Sequence, residues 1–273
     1  MKKNIFPIII AALMIAAVYF RSVFLRDETP VETAAACCAD SLPSPTLLPP
    51  QPKPLPHGLV RIRDIDASIF IDLKYATTDN FTGKILYYDT VAYLQRETAE
   101  KLHAAGQRLK SLRPDLRLLV YDATRPLNVQ KKMWEAVQNT PYRRYVADPK
   151  RTSLHNYGAA VDLTLADRNG KPLDMGTAFD HFGEAANVVR EDDLLKRGIL
   201  TPQQVKNRRL LREVMQASGF QSISGEWWHF NACTLAEAQE RYPLLSHSDT
   251  LLNLFFLPSR PTAATPDSLP DKP

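Results

Sequence analysis

Residues 153–162 have the sequence SLHNYGAAVD, and a second motif, EWWH, occupies residues 226–229. Together the two motifs contain two histidines, an aspartate and a glutamate. Catalytic zinc sites commonly have three such side chains as ligands, keep a fourth position for water and have a base close to that water. The two motifs therefore predict a metal centre around which the chain is organised. The candidate ligands are His155, Asp162 and His229, and the candidate base is Glu226.

The spacing of the first motif decides its local structure. His155 and Asp162 are seven positions apart. On a helix this spacing corresponds to about 10 Å of rise, and on a strand to more, so neither element alone brings both side chains to one ion. We therefore expect His155 on a loop that folds back and Asp162 on a strand over residues 158–165. Gly158 would let that backbone pass close to the metal.

The second motif indicates a turn in the chain. Glu226 and His229 are three positions apart, and the tryptophans between them favour a strand. Positions three apart on a strand face opposite sides of the sheet. If both residues act in one site, the chain must bend near Glu226, which Gly225 makes feasible.

Hydrophobic periodicity outside the motifs predicts a mixture of helices and short strands. Apolar residues recur every three or four positions over residues 90–112, which is typical of a helix, and Arg113-Pro114 would end it. Because helices and strands do not alternate regularly, we expect an α+β domain. We expect a small, mostly antiparallel sheet flanked by helices, with the metal site at one face of the sheet. Further predictions are one or two strands within 59–75, a strand at 116–122, a helix opened by Pro126, a helix over 201–218 capped by Thr201 and Gly219, and strands at 220–223 and 227–230.

The two ends of the chain differ in composition from the middle. Residues 1–26 begin with a basic Lys2-Lys3 pair and contain an apolar run of 16 residues, which predicts a signal peptide or membrane anchor. Residues 27–56 are rich in proline and predict an extended linker, and residues 257–273 predict a disordered tail. One globular domain remains at residues 57–256, which is large enough to bury a core. The predicted location is the periplasm or cell envelope, with or without an anchor in the inner membrane.

Charge and cysteine content exclude some classes of function. The net charge of +4 over 273 residues is small and scattered, and no basic cluster is interleaved with aromatic residues, so nucleic-acid binding is not expected. The three cysteines, Cys37, Cys38 and Cys233, have no C-x-x-C spacing, which argues against a thiolate zinc site. We interpret Cys233 as a small buried residue. A disulfide between Cys233 and the linker stays open.

Several motifs resemble a known family. The pattern S-x-H-x-x-G-x-A-x-D followed by E-x-W-H resembles the zinc peptidases that act on D-amino-acid bonds of peptidoglycan. More closely, DLKYATTDNFTG at 72–83, YDATRP at 121–126 and MGTAFD at 175–180 resemble the D-alanyl-D-alanine dipeptidases of the VanX type. The resemblance spans residues 58–240, so it leaves out both ends of the chain.

The resemblance implies a catalytic role for five residues. It implies one zinc ion per chain, bound by His155, Asp162 and His229. It implies that Glu226 acts as the general base and acid, and that Arg125 stabilises the oxyanion. A carboxylate and a guanidinium suit these two tasks chemically, since the reaction moves a proton and develops negative charge on an oxygen.

The resemblance also implies how the substrate binds. Asp180 would hold the ammonium group of a small D-amino-acid dipeptide, and Ser153 would line the site. Tyr75 and Asp79 would support the pocket. His181 is a rival metal ligand next to Asp180, although a loop histidine with an ordinary hydrogen bond is the better interpretation. The implied function is zinc-dependent hydrolysis of D-alanyl-D-alanine in the cell envelope, with the membrane contacted only through the N-terminal segment.

Two other functions fit parts of the sequence. A D,D-carboxypeptidase that trims peptidoglycan stems would need a cleft open at the amino side of the substrate, and the 175–180 motif argues against such a cleft. A zinc-stabilised cell-wall binding module without activity would need neither Glu226 nor Arg125, and both are present.

Overall fold

Five strands form a mixed sheet and two more form a separate antiparallel ribbon in the computed structural model, which describes residues 55–88 and 90–246. The strands are β1 (Leu59–Arg61), β2 (Phe70–Ile71), β3 (Tyr93–Gln95), β4 (Leu116–Asp122), β5 (Ala160–Asp167), β6 (Gln221–Ser222) and β7 (His229–Asn231). The α-helices within the described ranges are α1 (Ile62–Ile65), α2 (Arg96–Leu112), α3 (Leu127–Val137), α4 (Glu191–Lys196), α5 (Pro202–Gln216) and α6 (Leu235–Arg241).

The sheet has the strand order β2-β4-β5-β7-β6. Within it β2 and β4 are parallel, whereas β4–β5, β5–β7 and β6–β7 are antiparallel. The ribbon pairs β1 with β3. The predicted α+β class with a mostly antiparallel sheet is therefore confirmed.

Helix α2 covers the sheet with one apolar side. Leu102, Ala105 and Leu109 are fully buried and follow one another at spacings of three and four, and they share a hydrophobic core with Leu118 and Val120 of β4. The helix ends before the Arg113-Pro114 dipeptide, because proline disfavours helical backbone in the residue that precedes it. The strand predicted at 116–122 is confirmed with the same bounds.

Two predicted boundaries are wrong. The helix predicted over 90–112 begins only at Arg96, because β3 is taken up by pairing with β1. The strand predicted over 158–165 begins two residues later, because Gly158 has a φ of +66° and ends a 3-10 turn instead. The one or two strands predicted within 59–75 are confirmed as β1 and β2, with helix α1 between them.

The second half of the domain follows its local signals more closely. The side chain of Thr201 accepts a hydrogen bond from the backbone nitrogen of Gln204, so the predicted cap of α5 is confirmed. Gly219 adopts a φ of +85° just beyond the end of that helix. The strands predicted at 220–223 and 227–230 occur as β6 and β7, of which β6 is shorter and β7 ends one residue later.

Several predictions concern the two ends of the chain. The predicted signal or anchor, nearly all of the linker, the tail and the cysteines at positions 37 and 38 lie outside the described residues. Among the residues that are described, none of the helices has both the length and the apolar character needed to span a membrane.

Candidate active site

Three adjacent strands place charged side chains in one row. Asp162 of β5 is the register partner of His229 on β7, and on its other side it is the partner of Asp122 at the end of β4. The β4–β5 ladder has an irregularity just before Asp122. Antiparallel register therefore brings an imidazole next to a carboxylate although 67 positions separate them in the sequence.

His155 reaches the same place from a turn. It lies in the 3-10 turn that follows Ser153, and a capping box between Ser153 and Asn156 fixes the start of this turn. Gly158 ends the turn in the left-handed region, where a Cβ would lie 3.0 Å from a neighbouring leucine side chain. Only glycine fits both the backbone angle and the space, so the loop that we predicted for His155 depends on this residue.

The three predicted ligands converge on one point. His155 Nε2 lies 3.2 Å from His229 Nδ1 and 3.3 Å from Asp162 Oδ1, and His229 Nδ1 lies 2.8 Å from Asp162 Oδ1. Among the described residues, these three side chains form the one group that could hold a metal ion.

The remaining hydrogen bonds of the two rings show that this group suits a cation. His155 Nδ1 lies 2.6 Å from the carbonyl oxygen of Ala123, which can only accept, so Nδ1 donates and Nε2 keeps its lone pair. His229 Nε2 faces Asn231 Oδ1 at 2.7 Å, which leaves the lone pair on Nδ1. When both rings are neutral, two nitrogen lone pairs and the Asp162 carboxylate therefore face one another, and a positive charge is needed between them. A metal ion would satisfy all three groups. The carbonyl oxygen of Ala123 and the side-chain oxygen of Asn231 would then orient the two rings, as hydrogen-bond partners of ligating histidines commonly do.

The charges within this group influence one another strongly. Burial alone would raise the pKa of Asp162, but the charge and hydrogen bonds of His155 and His229 hold it well below its usual range. Burial would lower the pKa of His229, whereas the hydrogen bond and charge of Asp162 raise it to about 9. The site therefore favours positive charge beside an ionised Asp162.

Arg125 is held on three sides. Its Nε donates to Asp122 Oδ2 at 2.8 Å, one terminal nitrogen donates to Gln130 Oε1 at 3.0 Å, and the other lies 3.3 Å from Asp162 Oδ2. Its guanidinium also lies over the Tyr75 ring at 5.0 Å. Burial would lower the pKa of Arg125, but the carboxylates of Asp122 and Asp162 raise it, so the residue is a fixed cation.

Glu226 lies in the bent segment between β6 and β7, as its proximity to Gly225 and the strand spacing predicted. Its carboxyl group lines the same cavity as the metal ligands. Burial raises its pKa, and the nearby charge of His229 lowers it less than burial raises it. A carboxyl group with this shift is suited to take up a proton and release it again.

Asp180 adopts an unusual backbone conformation for a residue with a side chain, with a φ of +60°. Its Oδ1 accepts a hydrogen bond from the Tyr75 hydroxyl at 2.8 Å, and its Oδ2 lies 3.4 Å from the backbone nitrogen of Phe81. Burial raises the pKa of Asp180 to about 8. Backbone strain and a desolvated carboxyl group both cost stability, and both are commonly found at functional sites.

One cavity of about 170 Å³ contains these groups. Every residue to which we assigned a metal, catalytic or substrate-binding role lines it. They are Ser153, His155, Asp162, His229, Glu226, Arg125 and Asp180, together with Tyr75.

Other residues that the sequence singled out lie elsewhere. Asp79 is exposed and forms an ion pair with Lys74 at 2.6 Å, outside the catalytic cavity. His181 is exposed and does not belong to the metal-binding group. Cys233 is a free cysteine that is partly exposed, so the interpretation of a buried residue is only partly right. His103, which is not among the predicted site residues, lies on α2 with its Nδ1 3.0 Å from Asp66.

The sequence reasoning missed two residues that hold Arg125 in place. Asp122 is completely buried and binds both Arg125 and the hydroxyl of Tyr87. Gln130 is also completely buried and connects Arg125 to the carbonyl oxygen of Ala147. An aspartate at the end of an apolar strand, three positions before Arg125, was a visible signal for the first. A polar residue within the buried side of α3 was the signal for the second.

Comparison with known proteins gives one consistent family. A family model for peptidase M15, described as D-ala-D-ala dipeptidase, matches residues 56–247. A D-alanyl-D-alanine dipeptidase of Escherichia coli K12 is 37% identical over 188 residues, which cover 69% of this chain and 89% of the relative. Proteins of the same name from Enterococcus faecalis and Streptomyces coelicolor are each 31% identical, and the matches cover 91% and 88% of those relatives.

Proposed function

The chain belongs to the D-Ala-D-Ala dipeptidase family of M15 metallopeptidases, and on this premise we propose that it hydrolyses the dipeptide D-alanyl-D-alanine. The observation that carries the proposal is the single cavity in which a metal-binding group, a carboxyl base, a fixed guanidinium and a second carboxyl group face one another. The first three groups are the parts that peptide hydrolysis needs, and the fourth supplies a partner for a charged amino end.

We propose that the metal is zinc. Two imidazoles and one carboxylate form a ligand set that is common at catalytic zinc sites. His155, Asp162 and His229 would hold the ion, and Ala123 and Asn231 would orient the two rings. When bound, zinc would supply a Lewis acid for the substrate carbonyl and lower the pKa of water to roughly 7.

Glu226 would move the proton. It accepts a proton from the water that attacks the peptide carbonyl, and later delivers it to the amine that leaves. Burial favours the protonated form of this carboxyl group, as the direction of its pKa shift indicates. Such tuning helps one residue to act first as a base and then as an acid near neutral pH.

Arg125 would stabilise negative charge on the former carbonyl oxygen. Its side chain is fixed before substrate arrives, since Asp122 and Gln130 hold it in place. Preorganised donors of this kind contribute more than flexible ones, because they need no rearrangement during the reaction.

Asp180 would bind the ammonium group of the dipeptide. The carboxyl group sits with Tyr75 and the Phe81 backbone at the wall of a small cavity. An ammonium ion at this position would stabilise the ionised form of Asp180, which burial otherwise disfavours. A peptide whose amino end carries an acyl group lacks that charge and adds bulk, so the site would favour a free dipeptide.

The decisive assay compares three substrates with the zinc-loaded enzyme: the free dipeptide, the amino-acetylated dipeptide and a pentapeptide stem. We expect the free dipeptide to be cleaved best. Asp180→Ala should reduce kcat/KM for the free dipeptide by about 2–5 kcal/mol in transition-state free energy, and much less for the acetylated one, because only the former loses a partner. If the wild type cleaves the stem as well as the free dipeptide, the carboxypeptidase function replaces the dipeptidase function.

We also propose that the catalytic domain acts outside the cytoplasm. The support is the lysine pair, the apolar run and the proline-rich segment that precede the domain. A fusion of residues 1–57 to a reporter that is active only after export tests the proposal. A well-expressed but inactive reporter would refute it.

A further inference from the structure

A second cavity lies on the other side of the residues that bind the amino end. It has a volume of about 410 Å³, compared with about 170 Å³ for the catalytic cavity. The two cavities share two lining residues, Phe81 and Asp180. These two residues therefore form the wall that separates the cavities.

The Phe81 ring fills its part of the wall by aromatic contacts. Its centroid lies 6.3 Å from that of Tyr75 and 5.0 Å from that of Phe182, and the side chain is partly buried. The contact between Phe81 and Asp180 uses the Phe81 backbone nitrogen and not the ring. A smaller side chain at position 81 would open the wall and keep this backbone contact.

The loop that carries Phe81 is fixed independently of the ring. The side-chain amide of Asn80 donates to the carbonyl oxygens of Lys74, Thr77 and Lys84 at 2.8–3.1 Å. The Asn80 side-chain oxygen accepts hydrogen bonds from both the backbone and the hydroxyl of Thr82. Removing the ring should therefore change the shape of the wall more than the position of the loop.

We infer that Phe81 determines the length of substrate by closing the way from the catalytic cavity into the second cavity. The inference rests on the proposed function, in which the ammonium group of the dipeptide binds Asp180. Any residue added at the amino end must then pass Asp180, and the space beyond Asp180 is the second cavity. With the ring in place the added residue collides with it, and with the ring removed the second cavity accepts the residue.

The chemistry of the second cavity favours a small residue that carries the free ammonium group of the peptide. Its one lysine, Lys74, is paired with Asp72 at 2.8 Å and with Asp79 at 2.6 Å, so the three charges sum to one net negative charge, which suits an ammonium group. Tyr121 and Phe179 supply aromatic surface, and burial raises the pKa of Tyr121 to about 12, which keeps the phenol neutral. Glycine or a small apolar residue fits these walls, and the tripeptide Gly-D-Ala-D-Ala is a suitable probe.

The test compares Phe81→Ala with Tyr142→Ala, both as the zinc-loaded enzyme. Tyr142 is an exposed aromatic residue that lines neither the catalytic cavity nor the second cavity, so it is a control for the loss of an aromatic ring. We expect Phe81→Ala to raise the ratio of kcat/KM for the tripeptide to kcat/KM for the free dipeptide by about tenfold or more, a difference that removing bulk from a pocket typically produces. Tyr142→Ala should leave the ratio close to that of the wild type.

Product analysis separates this inference from other causes. If the added glycine occupies the second cavity, water still cleaves the bond between the two alanines, and the products are Gly-D-Ala and free D-alanine. Release of glycine and intact dipeptide would overturn the inference, as would an equal rise of the ratio in both variants or an unchanged ratio in Phe81→Ala.

If the alanine variant does not fold, a Phe81→Leu variant replaces it. Its ratio of kcat/KM values is expected to lie between that of the wild type and the one expected for Phe81→Ala, and an unchanged ratio would overturn the inference. If even the wild type fails to cleave the free dipeptide, the proposed function fails, independently of the role of Phe81.

Discussion

The catalytic cavity is about as deeply buried as the layer between α2 and β4. The layer consists of apolar side chains, whereas the cavity contains ionisable ones. Leu102 and Leu109 have no exposed surface, and neither does Val120 opposite them. His155 and Asp162 are 1% and 2% exposed, and both are ionisable. The first region removes apolar surface from water, which stabilises the fold by about 25 cal/mol per Å². The second region takes charged groups out of water, which costs stability unless each is paired.

Stability and activity therefore depend on different parts of the molecule. The apolar layer needs only side chains of suitable size, and its periodic pattern could be recognised in the sequence. The cavity needs particular atoms at particular distances, and it retains a residue with positive φ at Asp180. Substitutions in the layer should therefore lower stability and leave the activity of the folded protein unchanged. Substitutions in the cavity should lower activity without lowering stability.

The largest effect is expected for His155→Ala, which removes one of the three proposed ligands and should abolish metal binding and activity together. The variant should contain far less zinc than the wild type when both are measured by elemental analysis after dialysis. His103→Ala is the matched control, since that imidazole lies outside the cavity. Full zinc occupancy in His155→Ala would show that the ligand set is wrong.

Glu226→Gln should lose activity without losing the metal. The amide has the shape of the carboxyl group but cannot accept the proton, and general base catalysis typically contributes about 10²–10⁴-fold. Because burial already disfavours the charged form of Glu226, the melting temperature should stay the same or rise. Elemental analysis, turnover and calorimetry on one preparation check all three points. Near-normal turnover would remove Glu226 from the mechanism.

Leu109→Ala tests the other region. This side chain is fully buried between α2 and the sheet, so the substitution should lower the free energy of unfolding by about 2–5 kcal/mol. The kcat and zinc content of the folded fraction should remain those of the wild type. Leu112→Ala on the exposed end of the same helix should have little effect on stability. A large drop in kcat for folded Leu109→Ala would contradict the division between the regions.

The same division explains how much could be predicted from the sequence. Leu116–Asp122 and the helix capped by Thr201 depend on local patterns, and their predictions are confirmed. Residues 93–95 were assigned to a helix because their pairing with β1 depends on a segment more than thirty positions away. The candidate metal-binding residues could be chosen from two motifs. The sequence marks Asp122 and Gln130 as polar residues within apolar elements, but it does not show that both hold Arg125. The partners that a long buried side chain contacts depend on how the surrounding elements pack, which local sequence patterns do not show.

The smallest effect is expected for Asp180→Asn, a variant that should be more stable than the wild type but less active. The pKa of this carboxyl group is about 8 in the folded protein, against about 3.9 in an unfolded chain. Between these two values the folded state binds more protons than the unfolded state, so Asp180 makes the wild type less stable as pH rises from about 4 to 8.

Asparagine has no charge to desolvate, and it tolerates positive φ well. We therefore expect equal stability of the two proteins near pH 4, and an advantage of about 1–3 kcal/mol for Asp180→Asn above pH 8 in denaturant titrations. Asp79→Asn, whose side chain is exposed and paired with Lys74, should show no such gain with pH. A pH-independent difference between Asp180→Asn and the wild type would mean that strain or packing, and not the buried charge, sets the cost of this residue.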